Sequence, residues 1–322
     1  MTKKILSVVC SVLVASGAFG QSTEKFQVAW GGGACEAPVL AAYYNGFFKQ
    51  EGLDVELVKV PDFESEKTAL ASNKISGAVG NFGWFKAIEQ GFAVKLTGGI
   101  HAGCIKFVTP QGSAIKTLAD VKGKTIGIDA IGSGPQIDLS IALRNAGINP
   151  KTEVSWRAYP PTELSAAVKK KEIDAFIVWD PFAAFAVQDE KYNTLLDIAK
   201  DEPFKSGYCC FVVVSALLVK NDPKKAAAYT KAILRGAKWV GENPDKAAAL
   251  EVDNKFVPGE KQQIADLLAS YYWRPSVSHA KDVAKYFITE QKKDGILEAT
   301  TNEAKLLDRL FATVVTDAEV NL

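Results

Sequence analysis

The chain of 322 residues lacks a charge excess of either sign and contains only two histidines. Its 38 lysines and arginines balance 37 acidic residues, whereas nucleic-acid binding normally needs a clear basic excess, so no nucleic-acid partner is expected. A P-loop, a dinucleotide fingerprint and a Ser/His/Asp family signature are also missing from the sequence. The glycine run at 31–33 does not have the spacing of a phosphate loop.

Long apolar runs are missing as well, since no stretch reaches the roughly 20 apolar residues that a membrane-spanning helix requires. At the N-terminus, two lysines precede a short apolar run over residues 5–15, and an Ala-x-Gly pattern follows. This order predicts a cleavable signal peptide over residues 1–20. Cys10 does not follow a lipobox-like sequence. We therefore expect a periplasmic or extracellular protein that is not lipid-anchored and begins near Gln21.

Two similar units of alternating strands and helices make up much of the remaining chain. In the first unit, apolar runs and turn residues predict a strand at 26–30, a glycine loop, a helix, a strand, a helix and a strand at 75–79. The second unit repeats this order from a strand at 125–128 to a strand at 173–178. Such alternation indicates parallel β-sheets in an α/β fold.

The repeat predicts two lobes with a cleft between them. The first lobe is expected to contain residues 21–107 and 208–322, and the second lobe residues 108–207. Loops that follow parallel strands lie at the carboxyl edge of a sheet, where open α/β sheets bind ligands. Two such edges facing each other would form a cleft that closes around a small solute by hinge motion.

Four segments resemble a known family: GFFKQEGLDVELV, TLADVKGKTIGI, KKKEIDAFIVWDPFAA and a helical tail with WVGENPDKAA. They look like the periplasmic solute-binding proteins of the nitrate, taurine and alkanesulfonate uptake family. The resemblance implies the two-lobed periplasmic-binding-protein fold of type II, with a mainly parallel sheet flanked by helices in each lobe. It also implies a non-enzymatic monomer without a cofactor. Such a protein would capture a small, sulfonate-like organic anion and deliver it to an ABC permease with its ATPase, meeting the membrane only there.

The same family contains binders of thiamine-pyrimidine precursors, which gives a second interpretation. The segment Tyr208-Cys209-Cys210-Phe211 is similar to the CCCFC signature of fungal thiamine-pyrimidine synthases, which use iron. Tyr208 and Val212 replace the flanking cysteines of that signature, and the predicted export separates the chain from pyridoxal phosphate. A metal-dependent, synthase-like enzyme with a Cys/His site is therefore the less favoured alternative to a binding protein.

The segment Gly132-Ser133-Gly134 stands directly before a predicted helix and is the first candidate for ligand binding. Free amides, the helix dipole and a serine hydroxyl would together favour an anion without any arginine. The alternative is an ordinary helix entry in which Ser133 is the N-cap residue.

Other candidate ligand contacts stand where strands are predicted to end at the cleft. Aromatic rings in such positions could pack against an alkyl chain or stack on a flat ring, or they could simply fill the core between the lobes. A carboxylate there would disfavour a bare anion and could meet an amino or ring N–H group instead. These candidates are Trp30, Glu36, Asn81, Trp84, Tyr159 and Trp179.

Four of the five cysteines remain after removal of the predicted signal peptide, and all four map to the expected cleft or hinge. Cys35 lies in the first loop, where we expect it to contact the ligand together with His101. Cys104 lies near the first crossing between the lobes, and Cys209 and Cys210 lie at the return crossing.

Three explanations for these cysteines stay open. A disulfide could join Cys104 to Cys209 or Cys210 and tie the crossing strands together, which secretion permits. Buried free thiols could simply pack the hinge. Finally, His101 and cysteine thiolates could bind a soft metal ion, although the C-x-x-C spacing of ordinary zinc sites is missing from the sequence.

Overall fold

The computed structural model describes residues 25–320, so the predicted signal peptide over residues 1–20 lies outside the described residues. The described chain forms two sheets flanked by helices, which confirms the α/β class. The strands are β1 (Phe26–Trp30), β2 (Val55–Lys59), β3 (Gly77–Gly80), β4 (Val94–Ala102), β5 (Ile105–Thr109), β6 (Thr125–Ile128), β7 (Ser155–Ala158), β8 (Ala175–Trp179), β9 (Asn193–Asp197), β10 (Cys210–Ser215) and β11 (Tyr272–Ser276). The helices are α1 (Ala37–Tyr44), α2 (Phe47–Gln50), α3 (Phe63–Ala71), α4 (Gly83–Glu89), α5 (Gly134–Asn145), α6 (Leu164–Lys169), α7 (Phe182–Gln188), α8 (Ala216–Asn221), α9 (Pro223–Glu242), α10 (Pro244–Asp253), α11 (Lys261–Ser270), α12 (Ser278–Lys293), α13 (Glu303–Leu310) and α14 (Asp317–Val320).

The predicted repeat is visible in the sheet topology. The first sheet has the strand order β11-β4-β10-β3-β1-β2, and the second has the order β7-β6-β8-β5-β9. In each sheet the three strands of one unit pair in parallel: β1 lies between β2 and β3, and β6 lies between β7 and β8. The loops after β1 and β6 therefore occupy the same position in the two lobes.

Strands that enter through the hinge make both sheets mixed rather than mainly parallel. β10 arrives from the second lobe and lies antiparallel between β3 and β4, while β5 arrives from the first lobe and lies antiparallel between β8 and β9. These strands enter each sheet from the cleft edge, toward which the strands of the repeat run, so their direction is reversed. The expectation of parallel pairing holds for the repeated units only.

The first crossing between the lobes lies earlier than the predicted boundary after residue 107. β4 ends in the first sheet at Ala102, and residues 105–107 already pair with β8 of the second sheet. The chain turns between them at Gly103 and Cys104, which both have positive φ angles, of 104° and 81°. A positive φ is uncommon for a residue other than glycine, so the left-handed backbone of Cys104 marks the position of the turn.

Two local expectations near the return crossing and in the C-terminal tail are wrong. The apolar run over 208–219 predicts one long strand. In the structure β10 ends at Ser215, and the chain leaves the sheet there and continues as α8, of which no residue is buried. The tail, which was expected to be helical, also contributes β11. Its sequence includes Pro275, which is compatible with β11 because this strand lies at the edge of the first sheet.

The long helix α9 closes one face of the first sheet against β3. Its Tyr229 ring is fully buried, and its hydroxyl donates to the carbonyl oxygen of Ala78 at 2.9 Å. A Cβ atom at Gly77 would lie 2.6 Å from this ring, so only glycine fits at that point of β3. Between residues 25 and 320, none of the helices combines the length and apolar character needed to cross a membrane.

Candidate ligand cleft and cysteine cluster

A cavity of about 750 Å³ lies between the two sheets, at the edge predicted from the repeat. The loops after β1, β2, β3, β6 and β7 contribute to its wall, as do the end of β8 and both crossings between the lobes. Parallel strands bring these loops to one edge of each sheet, which is why segments far apart in sequence meet here. A volume of this size is enough for a small organic solute.

The wall of the cavity is apolar and acidic. Its lining residues include no lysine, arginine or histidine within the described part of the chain, whereas five of them are acidic. These five are Glu36, Asp62, Glu64, Glu66 and Asp129. Asp62 is used to cap α3 and Glu64 pairs with Lys67. Three acidic groups therefore remain to determine the charge within the cavity.

Glu36 fills the amide-rich loop after β1. Its carboxylate accepts hydrogen bonds from the backbone amides of Gly31, Gly32 and Gly33 at 2.8–2.9 Å. Burial raises the pKa of this carboxyl from its ordinary value of 4.5 to about 7, although the three amides act in the opposite direction. An amide nest that could hold a ligand anion is thus occupied by a side chain of the protein itself.

Glu66 and Glu251 surround Glu36 with further buried carboxyl groups. Glu66 Oε1 and both carboxyl oxygens of Glu251 have no hydrogen-bond partner. Burial and the neighbouring Glu36 raise the pKa of both groups well above the ordinary value of a carboxyl. The first-lobe side of the cavity therefore repels a negatively charged solute whenever these groups ionise.

The Gly132-Ser133-Gly134 segment of the second lobe does not present its hydroxyl to a ligand. Ser133 is buried, and its Oγ donates to Asp129 Oδ1 at 2.6 Å, while the Gly132 amide donates to Gln136 Oε1 at 2.6 Å. Ser133 does occupy the N-cap position of α5, but its side chain makes no capping hydrogen bond. The expected anion site is therefore occupied by Asp129 and Gln136.

Asn81 and Gly134 bring the two lobes into contact at this point. Asn81 Oδ1 accepts from the Gly83 amide at 2.9 Å, which orients the side chain toward the second lobe. A Cβ atom at Gly134 would lie 2.6 Å from Asn81 Cγ. Of these two predicted residues, Asn81 lines the cavity and Gly134 does not, but the two meet where the lobes touch.

Two of the four predicted aromatic residues line the cavity. Trp179 Nε1 donates to Asp129 Oδ2 at 3.3 Å, and Tyr159 donates its hydroxyl to Glu172 while its ring lines the wall. Trp84 is fully buried against Phe63 and does not line the cavity.

Trp30 also lies outside the cavity wall. It packs edge-to-face on Phe256 at 4.5 Å and under the Lys59 ammonium. A position at the end of a strand therefore does not by itself bring a tryptophan to the ligand.

The cysteines form one buried cluster at the floor of the cavity. Cys35, Cys104 and Cys210 each offer a sulfur, and His101 a ring nitrogen, with these atoms all within 4.8 Å of one another. Cys209 lies beside them, with its sulfur 3.0 Å from that of Cys104. All four cysteines are free thiols in the structure.

The thiols of this cluster differ in acidity. Hydrogen bonds from Cys104, Cys209 and Cys35 lower the pKa of Cys210 well below its usual range, and the adjacent His101 acts in the same direction. Burial raises the pKa of Cys104 and of Cys209. Cys210 is therefore the group in the cluster most easily converted to a thiolate.

Asp180, which follows β8, connects the hinge to both lobes. Its carboxylate pairs with Lys106 and accepts from the Tyr271 hydroxyl at 3.1 Å. Its backbone carbonyl accepts from the Ala34 amide at 3.1 Å, and its own amide donates to the Cys104 carbonyl at 2.7 Å. The loop that holds Cys35 is thereby attached to the second lobe.

Residues 35–247 match the family model described as NMT1/THI5 like, so the chain belongs to this family. The nitrate/nitrite binding protein NrtA of Nostoc is 29% identical over 149 residues, which is 45% of this chain and 33% of that protein. The match thus spans about a third of the relative's length.

Two further similarities extend over most of the chain. The 4-amino-5-hydroxymethyl-2-methylpyrimidine phosphate synthase of Aspergillus parasiticus is 25% identical over 304 residues, covering 86% of this chain and 85% of the synthase. The alkanesulfonate-binding protein SsuA of Xanthomonas axonopodis, solved with bound MOPS, superposes with a TM-score of 0.74 at 15% identity, over 89% of this chain and 98% of SsuA. The expected two-lobed binding-protein fold and the expected family resemblance are confirmed.

Asp129 is the cleft residue that sequence reasoning missed. It follows β6 directly, at the position where Gly31 follows β1, so its place at the end of a strand could have indicated it. Glu66 and Glu251 carry no such signal, because they lie within helices whose buried faces are set by packing.

Proposed function

We propose that the protein is the solute-binding component of an ABC importer and that its solute is neutral or cationic rather than a sulfonate-like anion. The observation that carries this proposal is the occupation of both amide-rich loops by the protein's own side chains, Glu36 in the first lobe and Gln136 with Asp129 in the second. A site for nitrate or a sulfonate would need hydrogen-bond donors at these two loops. An anion that entered this cavity would meet carboxyl groups there instead.

The solute that fits this wall is compact, carries N–H donors and has an apolar face. Glu36 and Asp129 face the cavity from equivalent loops of the two lobes and could accept hydrogen bonds from both ends of such a solute. The Trp179 ring offers a flat apolar surface beside them. Amino-substituted heterocycles, aminopyrimidines among them, combine these properties, and so do small protonated amines.

The wider role rests on family membership. Proteins of this fold that are named as nitrate- and alkanesulfonate-binding proteins support solute capture without catalysis. We propose the same for this chain, with delivery to a membrane permease and its ATPase. The signal-like N-terminus supports export to the periplasm or the exterior, where the protein would act as a monomer.

A thermal-shift panel tests the ligand class, because a solute that binds only the folded state raises the midpoint of unfolding. Aminopyrimidines and small amines are compared with nitrate, taurine and alkanesulfonates. Stabilisation by nitrogen bases alone supports the proposal. Stabilisation by the anions alone overturns it.

The pH dependence of binding provides a second readout. A cation held by the Glu36 carboxylate needs this group ionised, so its affinity should fall by about tenfold for each pH unit below about 7. The variant Glu36→Gln should bind more weakly and lose this dependence. Titration calorimetry between pH 5 and 8 with both proteins makes the comparison.

Mass spectrometry separates binding from catalysis. A solute recovered unchanged after prolonged incubation supports a binding protein. Conversion of a pyrimidine precursor would instead favour the synthase-like alternative. The relative from Aspergillus parasiticus is named as such a synthase.

A further inference from the structure

We propose that Cys35, His101, Cys104 and Cys210 form a binding site for a single thiophilic metal ion at the floor of the cleft, with Zn²⁺ as the best match. Three sulfur atoms and one imidazole nitrogen form a donor set typical of four-coordinate zinc. This inference goes beyond the solute-binding role and does not depend on which organic solute occupies the cavity.

The spacing of the four donor atoms suits one central ion. With metal–sulfur bonds of about 2.3 Å, two sulfurs at the corners of a tetrahedron lie about 3.8 Å apart. The four donor atoms here all lie within 4.8 Å of one another. Contraction of up to about 1 Å, within the reach of cysteine rotamers, therefore completes the shell.

The backbone fixes the position of each ligand. β4 and β10 pair with His101 opposite Cys210, so these two donors are neighbours by register. Cys104 lies in the sharp turn at the first crossing, and Cys35 lies on the loop that is attached to Asp180. The donors therefore come from both crossings and from the first ligand loop, which explains why no short motif contains them.

His101 has a nitrogen available for coordination. The ring is fully buried and stacks on Tyr271 at 5.3 Å, which fixes its plane. Nδ1 lies 3.3 Å from the Ala102 carbonyl oxygen, whereas Nε2 has no partner. A ring that donates from Nδ1 to a carbonyl presents the lone pair of Nε2, which is the usual arrangement of histidine at a metal.

Cys209 is excluded from the four-ligand group. Its sulfur lies 3.0 Å from Cys104 Sγ, but it is not one of the four donor atoms that all lie within 4.8 Å of one another. We assign it the role of an outer S–H donor to the Cys104 thiolate.

Buried acidic groups lie beside the cluster. Both carboxyl oxygens of Asp138 are buried without a partner, and this carboxyl lies close enough to Cys210 for the two groups to repel each other when charged. Glu36 also adds unfavourable charge next to Cys35. A divalent ion bound to the thiolates would relieve this accumulation, with the thiol protons released to solvent.

Metal titration of the chain without residues 1–20, purified with a reductant and without a histidine tag, tests the proposal. Co²⁺ is added first, because a tetrahedral thiolate complex gives intense visible absorption. Zn²⁺ should then bleach this absorption at one equivalent, and mass spectrometry under native conditions should show one bound ion. A wild-type chain that forms no 1:1 complex with either ion overturns the proposal.

Adjacent cysteines provide the matched variants. Cys210→Ser should weaken metal binding by more than the roughly 10–100-fold that loss of an outer partner typically causes, while Cys209→Ser should retain the 1:1 complex with a loss within that range. Equal loss in both variants overturns the ligand assignment.

Should Cys210→Ser fail to fold, alkylation of the wild-type chain decides the question. Zn²⁺ should then protect Cys35, Cys104 and Cys210 more strongly than Cys209, as mapped by peptide mass. Equal modification of all four with and without Zn²⁺ overturns the proposal. The thermal-shift panel of solutes is repeated on zinc-loaded and on chelator-treated protein. This comparison shows separately whether the metal-site proposal or the proposal about the solute has failed.

Discussion

The loops after β1 and β6 occupy the same place in the two lobes but fill their amide nests differently. In the first lobe, the titratable carboxyl of Glu36 takes the amides of Gly31, Gly32 and Gly33. In the second lobe, the neutral amide of Gln136 takes the Gly132 amide, and Asp129 takes the Ser133 hydroxyl. The same backbone shape thus holds a group that changes charge near neutral pH in one lobe and a permanently neutral group in the other.

This difference separates two functions of a glycine-rich loop. Such a loop can bind a ligand anion, or it can be satisfied by a nearby side chain of its own protein. In this chain the amides of both loops donate to side chains of the protein itself. In the first loop the acceptor is Glu36, whose charge a bound solute can influence. Four predictions test the contrast, beginning with the largest effect.

The largest effect should come from the charge of Glu36. Burial raises the pKa of this group to about 7, above its value in the unfolded chain, so the folded state holds the proton more tightly. The contribution is then present in full below about pH 4.5 and is lost as the pH rises to about 7, by on the order of 3 kcal/mol at 1.36 kcal/mol per pKa unit. Urea unfolding of wild type and Glu36→Gln between pH 4 and 8 should therefore show the variant gaining relative stability with pH. A constant difference between the two proteins would contradict the internal role of this carboxyl.

Removal of the Glu36 side chain should empty the first nest. Glu36→Ala leaves three amides without their acceptor, and at pH 5 we expect a loss of about 2–3 kcal/mol in the free energy of unfolding. Nitrate or an alkanesulfonate should restore part of this stability, because the freed amides then become an anion site. Glu36→Gln, which keeps an acceptor oxygen, is the control and should show no stabilisation by these anions. Equal responses of both variants to the anions would sink the idea.

The glycines of the two loops should differ in their tolerance of a methyl group. At Gly134 a Cβ atom would lie 2.6 Å from Asn81 Cγ, so Gly134→Ala should cost about 1–3 kcal/mol by overpacking. At Gly31 the nearest atoms lie 3.8 Å away, and Gly31→Ala should change stability by under about 0.5 kcal/mol. Combining Gly134→Ala with Asn81→Ala should recover part of the loss, as a double-mutant cycle measures. Equal costs at the two glycines would show that the lobes do not meet at this contact.

The smallest effect should come from the acceptor of the second nest. Gln136→Ala removes one neutral acceptor from the Gly132 amide, which predicts a loss of about 1 kcal/mol that does not vary between pH 4 and 8. Chemical unfolding at both pH values checks this. A pH-dependent loss would mean that the second loop, like the first, depends on a titrating group.

Much of the fold could be predicted because it rests on local pattern. The order of strands and helices in the two units follows from apolar runs and turn residues, and the structure reproduces it from β1 to β3 and from β6 to β8. The edge strand β11 escaped prediction because an edge position tolerates Pro275 and polar residues that a central strand would not accept. The boundary predicted after residue 107 differs from the sheet pairing, because an apolar strand such as β5 could join either sheet and only its pairing with β8 assigns it to the second.

The sequence predicted where the candidate site lies better than it predicted the chemical groups that line it. Cys35, Asn81, Tyr159 and Trp179 do line the cavity, since each lies at the end of a strand of the repeat or in the segment after it. Trp84 follows one too, yet its ring points into the core. The sequence pattern predicts which residue stands at the end of a strand. Whether the side chain of that residue faces the cavity or the core depends on the residues that pack around it.

By itself, the sequence determined the repeated α/β units, the neutral charge and the presence of cysteines at both crossings, because these depend on composition and on local periodicity. Only the tertiary structure decided that Glu36 and Gln136 fill the two loops and that one histidine and three cysteines meet at the floor of the cleft. The four metal-site candidates are separated by up to 175 positions along the chain, from Cys35 to Cys210. The pairing of β4 with β10 places His101 beside Cys210, and the loop after β1 and the turn at the first crossing bring Cys35 and Cys104 to them.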